Sequence, residues 1–393
     1  MLSSPRSILS PRRQFPLLTF LALACGAGLL ACGGGGGSGS SNPGGGGGPG
    51  GGGGPGGGGG PGGGGGGGGP SLGSITVLSA TSCPSGNGAL PNTTCTELRI
   101  DGLSVASIDV ELRITEPAPS ASLRGTVVLG TGSLGTSFFA DESGGGTLIE
   151  ALAQAGFRCV DRRWESGWFS SDTSIREQAG RYATLIGWIH DNVFDTGSFC
   201  ALGQSGGAGE LAYALSVWEQ ADLLDVAILA GGPPLSRLDY LCETPTPPAW
   251  LAQCATIIPP GSFPCGVPDC AAPPGTPLCD ALPSAPAAGE LEADSVLAPD
   301  AVLDYPTTFV HLVLGNQDCT SGVPLGLLFF EQVTSAKQLD VVAGTPHLVA
   351  SSADGRTALV QALDDAALAR TAAGNDWLRV RVYGLDQAPS TQR

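Results

Sequence analysis

A serine flanked by glycines is the part of this sequence with the clearest chemical potential. Residues 203–207 read Gly-Gln-Ser-Gly-Gly, after the apolar run 199–202 and before a helical pattern of apolar residues. A G-x-S-x-G sequence between a strand and a helix predicts a tight turn that exposes the serine hydroxyl, and the glycines are needed because side chains would clash there. Residues 69–73 also match the pattern, but they follow polyglycine, so we interpret that match as accidental. Ser205 is therefore the candidate nucleophile.

A serine hydroxyl needs a base that removes its proton, and histidine most often fills that role. The three candidates are His190, His311 and His347. His190 lies in an amphipathic helical pattern and His311 in the middle of an apolar strand pattern, so we assign surface or packing roles to both. His347 lies after a strand pattern, in a loop that contains Gly344 and Pro346. Because ligands meet a parallel sheet at the carboxyl ends of its strands, we predict that His347 is the base.

The base in turn needs a carboxylate that fixes its tautomer and stabilises its charge. Asp318 lies in the loop after the strand pattern 309–314, at the expected end of that strand. Asp304 and Asp340 are the competing candidates, but each lies before or at the beginning of a strand pattern and so at the opposite end of the sheet. We therefore predict that Asp318 orients the base.

The chain order Ser205, Asp318, His347 resembles that of the α/β-hydrolase superfamily, over roughly residues 96–370. The resemblance implies a serine hydrolase that cleaves a small-molecule or polymeric carboxylic ester through an acyl-enzyme on Ser205. A peptidase or amidase on the same fold is one alternative, and a surface-binding lipoprotein without catalytic activity is another. Dehalogenases and epoxide hydrolases of this fold use an aspartate nucleophile, which the serine disfavours.

The same resemblance implies an oxyanion hole, in which two backbone N–H groups stabilise the negative charge that develops on the substrate oxygen. One donor would be Gly206, directly after the serine. The other would be Gly132 or Ser133, in the segment Gly-Thr-Gly-Ser at residues 130–133. Many relatives carry His-Gly at this place, so the loop departs from their pattern.

The elements that must position these residues alternate between strand and helix along the chain. This alternation predicts an α/β fold, with a mostly parallel central sheet, helices on both faces and an antiparallel entry. The interval 236–305 interrupts this alternation, is rich in proline and contains five cysteines, so we predict an inserted cap that is held by disulfides. Trp164, Trp168 and Phe169 could line a site or pack in the core, and the turn at 231–234 is predicted to leave a strand without binding a ligand.

The predicted strands are 96–100, 108–115, 126–129, 157–160, 199–202, 226–230, 309–314 and 339–343, and the predicted helices are 147–155, 174–194, the segment after Ser205, 322–333 and 356–369.

The cysteine content predicts disulfides rather than metal binding, because the number after residue 70 is even and the chain carries an export signal. Cys83 and Cys95 are close enough in sequence to form a local pair. Cys265 and Cys270 are spaced more widely than usual zinc ligands and have no neighbouring histidine. We find no phosphate loop, metal site or nucleotide fingerprint, so we predict no cofactor. The ten cysteines are at positions 83, 95, 159, 200, 242, 254, 265, 270, 279 and 319.

Residues 1–31 have the pattern of an export signal, with a basic beginning and an apolar stretch too short for a convincing membrane span. The stretch ends in Leu-Leu-Ala-Cys at 29–32, which resembles a bacterial lipobox whose cysteine, Cys32, becomes the lipidated N-terminus. Cys25 is a poorer candidate because the residue three positions before it is Ala22. The alternative is an ordinary secretory signal. By the same resemblance, Gly33 after the cysteine favours the outer membrane of the bacterial envelope.

Residues 32–70 are almost entirely glycine and proline and cannot bury a core, so we predict a disordered linker before a folded domain at 71–393. Eighteen basic and 35 acidic residues give a net charge of −17. This charge argues against binding to nucleic acid and against electrostatic attachment to anionic lipid. Any membrane attachment should therefore come from the lipid on Cys32. The sequence does not indicate an oligomeric state.

Overall fold

A ten-stranded sheet organises the described part of the chain. The computed structural model describes residues 70–83, 90–170, 173–243, 245–270, 279, 289–369 and 378–383. The predicted export signal, Cys32 and the glycine-rich segment up to residue 69 lie outside the described residues. The strands in chain order are Ser74–Ser82 (β1), Thr93–Asp101 (β2), Ile108–Thr115 (β3), Gly125–Gly130 (β4), Phe157–Trp164 (β5), Ser198–Gln204 (β6), Val226–Ala230 (β7), Phe309–Gly315 (β8), Lys337–Val342 (β9) and Leu378–Tyr383 (β10).

The strands are arranged in the order β1-β2-β3-β5-β4-β6-β7-β8-β9-β10. β1, β2, β3 and β5 pair antiparallel, and every pairing from β5 through β4 to β10 is parallel. The predicted antiparallel entry and parallel body of the sheet are therefore confirmed. β4 and β7 are buried along their whole length, as expected of continuous apolar strands covered on both faces.

Helices cover both faces of the sheet, as predicted. Leu148 and Leu152 of one helix and Leu359 of another belong to a core cluster with β4 and β7 residues on one face. Leu185 and Leu211 belong to the larger cluster on the other face. The helices are Gly145–Gln154 (α1), Ile175–Gln178 (α2), Gly180–Asn192 (α3), Gly206–Ser216 (α4), Leu238–Cys242 (α5), Pro248–Ile257 (α6), Glu290–Ala293 (α7), Gly322–Gln332 (α8) and Ala353–Ala369 (α9).

Three elements differ from the sequence-based expectation. The helix predicted at 174–194 is divided at Ala179 into α2 and α3. A Cβ at Gly180 would overlap the Trp218 ring, so glycine permits close packing at this division. The edge strands β1 and β10 were not predicted; β1 is exposed along most of its length and lacks the alternation that marks a half-buried strand.

The insertion between β7 and β8 contains α5, α6 and α7. Disulfides hold it, as the sequence predicted. The pairs, which the sequence left open, are Cys242–Cys279, Cys254–Cys270 and Cys265–Cys319. A backbone hydrogen bond of 3.0 Å from Asp269 N to Cys319 O accompanies the last of them. The insertion is thus joined covalently to the loop that follows β8.

The predicted pair Cys83–Cys95 is also present. The expectation that all ten cysteines form disulfides is wrong for Cys159 and Cys200, which are buried and lie outside these four pairs. Both are in register with Val127, on the two strands that flank β4. Two strand spacings separate them by about 9.6 Å, beyond the roughly 7 Å that a disulfide can span.

The parallel strands bring four loops to one edge of the sheet. β4 leads into Gly132, β6 into Ser205, β8 into Asp318 and β9 into His347. Because the strands are parallel, their carboxyl ends lie at the same edge, where open α/β sheets bind ligands. No helix in the described part of the chain is both long and apolar enough to cross a membrane.

Candidate active site

Ser205 occupies a strained turn between β6 and α4. Its backbone has φ 54° and ψ −112°, a conformation that residues other than glycine rarely adopt. Its N–H donates to Ala230 O at 2.8 Å, and its carbonyl accepts from Gly209 N at 3.0 Å. A Cβ at Gly207 would lie 2.6 Å from Gly130 O, so only glycine allows the helix to approach β4 this closely. The turn that the motif predicts is therefore present.

His347 bonds to both of the other predicted residues. Its Nε2 lies 2.9 Å from Ser205 Oγ, and its Nδ1 lies 2.7 Å from Asp318 Oδ2. These distances fit an imidazole that donates its Nδ1–H to the carboxylate and accepts the serine hydroxyl proton at Nε2. The structure thus brings together three side chains that are up to 142 residues apart in the sequence.

Thr320 holds Asp318 in place, and the sequence did not reveal this contact. Asp318 is 1% exposed, and its second oxygen accepts the Thr320 N–H at 2.9 Å. The Thr320 hydroxyl oxygen lies 3.4 Å from His347 Nδ1. Because one carboxylate oxygen is bound to the backbone, the other is held towards the imidazole.

The competing histidines and aspartates lie elsewhere. His190 bonds to the neighbouring Asp191 at 3.0 Å on an exposed part of α3. His311 is fully buried and bonds to Asp340 at 2.9 Å, so these two rejected candidates are partners of each other. Asp304 bonds to the Thr334 hydroxyl, before β8 begins. Of the candidates considered for base and acid, the structure places only His347 and Asp318 beside Ser205.

The loop after β4 lies against the serine. A Cβ at Gly132 would lie 3.4 Å from Ser205 Cβ, and one at Gly206 would lie 2.8 Å from Ser133 N and overlap Ser133 O. Gly132 N–H donates to Glu142 Oε1 at 3.3 Å. Within the described residues, the N–H groups of Ser133 and Gly206 donate to no other protein group. Of the two expected alternatives, Ser133 is therefore the one whose N–H has no protein acceptor among the described residues.

The conformation of this loop is also strained. Ser133 has φ 51°, and together with Ser205 it is one of four non-glycine residues with positive φ in the described part of the chain. Trp168 Nε1–H donates to Ser133 O at 3.4 Å from behind the loop. Strain of this kind persists only where the surrounding contacts over-determine the backbone, and it is concentrated at functional sites.

Glu142 places a carboxyl group beside the loop. Burial raises its pKa above the ordinary value, while the hydrogen bond from Gly132 and the charges of Arg162 and His347 act in the opposite direction. The bond to Gly132 ties the beginning of the loop to the segment before α1. Sequence reasoning missed this residue because its contact with the loop spans ten positions without a motif.

A buried ion pair supports the loop and the helix of Ser205 together. Arg162 of β5 and Glu210 of α4 are both fully buried and form a salt bridge, and Glu210 also accepts Trp164 Nε1–H at 2.6 Å. Burial lowers the pKa of Arg162 to about 10. A Cβ at Gly130 would lie 2.8 Å from Arg162 Nη2, so the guanidinium lies directly under the loop. The sequence analysis missed this pair. The signal that could have revealed it is Glu210, a charged residue inside an otherwise apolar helix.

The aromatic candidates pack behind the site. Trp164, Trp168 and Phe169 all belong to the larger core cluster, which agrees with the packing interpretation.

The turn after β7 contacts the site: a Cβ at Gly231, which has φ 60°, would lie 2.7 Å from His347 O. The described residues contain no group of three or more His, Cys, Asp or Glu side chains that could hold a metal ion.

Comparisons with known proteins identify solved structures only. No protein-family profile and no curated protein matches the chain. Similar solved structures include Est1E from Butyrivibrio proteoclasticus, at 14% identity over 67% of this chain and 98% of that chain, with a TM-score of 0.42. An esterase from Pyrobaculum calidifontis is 15% identical over 67% of this chain and 82% of that chain, with a TM-score of 0.43. An acylaminoacyl peptidase from Pyrococcus horikoshii is 12% identical over 72% of this chain and 42% of that chain, with a TM-score of 0.42. Similarities this low do not assign an activity.

The fold follows from the chain's own topology. Antiparallel strands lead into a parallel sheet in which β5 lies outside β4, and the turn with Ser205 comes directly after the next strand, β6. The loops with Asp318 and His347 follow β8 and β9, in the chain order serine, aspartate, histidine. The chain therefore has the fold of the α/β-hydrolase superfamily.

Proposed function

We propose that this protein is a serine hydrolase that cleaves a carboxylic ester through an acyl-enzyme on Ser205. The observation that carries the proposal is the continuous hydrogen-bond chain from Asp318 through His347 to the Ser205 hydroxyl, at 2.7 and 2.9 Å. A serine hydroxyl becomes a nucleophile when a positioned base removes its proton. The strained turn at Ser205 and the two available N–H groups beside it support the same chemistry.

In the first half of the reaction, Ser205 Oγ attacks the ester carbonyl carbon while His347 Nε2 takes the hydroxyl proton. The Asp318 carboxylate accepts the Nδ1–H and stabilises the imidazolium. The carbonyl oxygen becomes an oxyanion that receives hydrogen bonds from the N–H groups of Ser133 and Gly206. The C–O bond then breaks, and the alcohol leaves with the proton that His347 returns.

In the second half, water replaces the alcohol. His347 removes a proton from the water as its oxygen attacks the acyl carbon, and the same two N–H groups bind the second oxyanion. The bond to Ser205 Oγ breaks, the carboxylic acid leaves, and the proton returns to the serine. These steps need no cofactor. We propose a small-molecule or polymeric substrate whose ester group reaches Ser205.

Replacement of Ser205 tests the proposal. The wild-type chain should hydrolyse p-nitrophenyl esters, and Ser205→Ala should lose about 10⁴-fold or more of kcat because the nucleophile is gone. Ser216→Ala is a matched control, since Ser216 is a buried serine at the far end of α4. Within the described residues its hydroxyl bonds to two backbone carbonyls, at 2.8 Å to Ala212 and 3.1 Å to Val296. Equal turnover by wild type and Ser205→Ala would refute the proposal. Matched ester and amide substrates would separate an esterase from a peptidase or amidase.

We also propose that the chain is exported and anchored to the bacterial envelope, in the outer membrane, by a lipid on Cys32. The support is the sequence alone: the apolar segment that ends at residue 31, the lipobox-like residues 29–32 and the glycine-rich segment that follows. Mass spectrometry of the N-terminal peptide after bacterial expression should show a lipid on Cys32. Cys32→Ser should abolish it and Cys25→Ser should not. An unlipidated N-terminus at another residue would contradict this proposal.

A further inference from the structure

Gln204, the residue before the nucleophile, contacts the loop that carries the base. It ends β6, is 1% exposed and directs its side chain amide at the backbone around His347. Its Nε2 donates to His347 O at 2.8 Å, and its Oε1 accepts from Val349 N at 3.1 Å. The amide thus bonds to the backbone on both sides of Leu348.

An amide group presents a donor and an acceptor side by side at any pH, and a stretch of backbone presents the matching C=O and N–H groups. A shorter, apolar or purely accepting side chain could not make both bonds. The contact spans 143 residues of sequence at one end and 145 at the other, so no local turn enforces it. It links the nucleophile strand to the base loop directly.

The turn after β7 leaves space for this contact. Gly231 has φ 60°, and a Cβ there would lie 2.6 Å from Gln204 Nε2 and 2.7 Å from His347 O. A side chain at position 231 would therefore separate the two groups that are bonded. Three segments, β6, the turn after β7 and the base loop, converge on one pair of hydrogen bonds.

Resting on the proposed function, we infer that Gln204 is a positioning residue for catalysis, which sets the distance between the His347 imidazole and the Ser205 hydroxyl. Gln204 and Ser205 are adjacent in the chain, so the clamp on the His347 backbone fixes the base relative to the nucleophile. Proton transfer depends steeply on this distance, and a displacement of about 1 Å can lower the rate by roughly 10²-fold. Both hydrogen bonds of the Gln204 amide are to backbone atoms, so we infer that it acts through the backbone of this loop.

Gln204→Met removes both hydrogen bonds and keeps the volume of the side chain. We expect kcat for a p-nitrophenyl ester to fall by about 10²-fold with little change in KM, because the substrate-binding surface is untouched. Gln338→Met is the matched control. Gln338 is also a glutamine at 1% exposure on a strand of the parallel sheet, β9, but its amide bonds to Asp340 Oδ1 at 2.9 Å. Both variants lose buried hydrogen bonds, and only the first should lose kcat.

Gln204→Glu adds a second measurement, the pH dependence of kcat, which should not change if Gln204 only stabilises the fold. A protonated carboxyl group can donate to His347 O and accept from Val349 N, as the amide does, whereas the ionised group can only accept. The ratio of kcat in Gln204→Glu to that in the wild type should therefore rise as the pH falls from 9 to 6, roughly tenfold or more. The same ratio for Gln338→Met should stay constant over this range.

The outcomes separate the two proposals. If Gln204→Met and Gln204→Glu fold and keep kcat within about threefold of an active wild type, with a constant ratio across pH, the positioning role is wrong and the hydrolase proposal stands. If the wild type itself turns over no ester and reacts with no serine-directed probe, both proposals are wrong. Should Gln204→Met fail to fold, the pH dependence of Gln204→Glu alone decides.

Discussion

Cys319, the residue after Asp318, forms a disulfide with Cys265 of the insertion. The loop with Asp318, which follows β8, is therefore joined covalently to the insertion that precedes β8. Asp269 N–H also donates to Cys319 O at 3.0 Å, so the two segments are held at two points. The insertion therefore helps to hold the loop with Asp318 in position.

Removal of this disulfide should affect both stability and activity. It closes a segment of 54 residues, so the double variant Cys265→Ser, Cys319→Ser should lower the free energy of unfolding by about 4 kcal/mol in the chain-entropy model. Because Asp318 is adjacent, kcat should also fall by roughly tenfold, less than the cost of a 1 Å displacement. Urea unfolding and ester turnover measure the two effects.

The pair Cys83–Cys95 provides the control. It lies at the antiparallel end of the sheet and closes only 12 residues. The variant Cys83→Ser, Cys95→Ser should lower the free energy of unfolding by about 3 kcal/mol and leave kcat unchanged. Equal kcat in both double variants would show that the Cys265–Cys319 disulfide does not position Asp318.

Gly206→Ala should abolish most activity without removing any side chain from the site. The added Cβ would overlap Ser133 O and lie 2.8 Å from Ser133 N, which displaces the loop that faces Ser205. Loss of one oxyanion donor costs about 10²–10³-fold in kcat. Gly187→Ala in α3 is the control, because its nearest neighbours would be 3.7 and 3.8 Å away. Wild-type kcat in Gly206→Ala would exclude an oxyanion hole at this place.

The buried Asp161 should make stability depend on pH. Burial raises its pKa from 3.8 to about 7, against the hydrogen bonds from Phe139 N and Ala140 N. An acid with a raised pKa in the folded state contributes stability that is fully present below pH 4 and is lost as the pH rises through about 7. Tm should therefore decrease between pH 5 and pH 8.

Asp161→Asn should be less stable than the wild type at pH 5, because its amide nitrogen opposes a backbone N–H. Its Tm should nevertheless depend less on pH between 5 and 8, since the titrating group is gone. Thermal unfolding at several pH values measures both curves. Parallel curves for the two proteins would assign the pH dependence to other groups.

Removing one partner of the pair Arg162–Glu210 should lower the free energy of unfolding more than replacing both partners. Arg162→Met leaves a buried carboxylate without its partner, which costs about 3–5 kcal/mol of unfolding free energy. The double variant Arg162→Met, Glu210→Gln should be more stable than the single one, because the glutamine is neutral and can still accept Trp164 Nε1–H. Urea titration of the two proteins checks the order, and a double variant less stable than the single would reverse it.

The parts of the site that follow parallel strands could be predicted from the sequence. An apolar strand, then a loop with serine, aspartate or histidine, is a local pattern, and a parallel sheet brings the ends of its strands to one edge. Ser205, Asp318 and His347 were located in this way, and the structure places them in contact. Their catalytic role remains a prediction that the experiments test.

The remaining parts depend on contacts between distant segments. The hydrogen bonds from Gln204 to the loop with His347 and the pairing of Cys265 with Cys319 join segments that are far apart in the sequence. The sequence does not predict them, because each of these residues has several chemically equivalent partners to choose from. β1 escaped prediction because an exposed edge strand lacks the burial that imposes an alternating pattern. The failure for Cys159 and Cys200 has a similar cause: an even count says nothing about strand positions.

The most direct test of the account is the site at which a serine-directed reagent modifies the protein. The wild-type chain should react with a fluorophosphonate, and peptide mass spectrometry should locate one adduct, on Ser205. His347→Ala should react far more slowly, because the base at 2.9 Å from Ser205 Oγ is missing. An adduct on another residue, or none on the folded, disulfide-intact protein, would contradict the account.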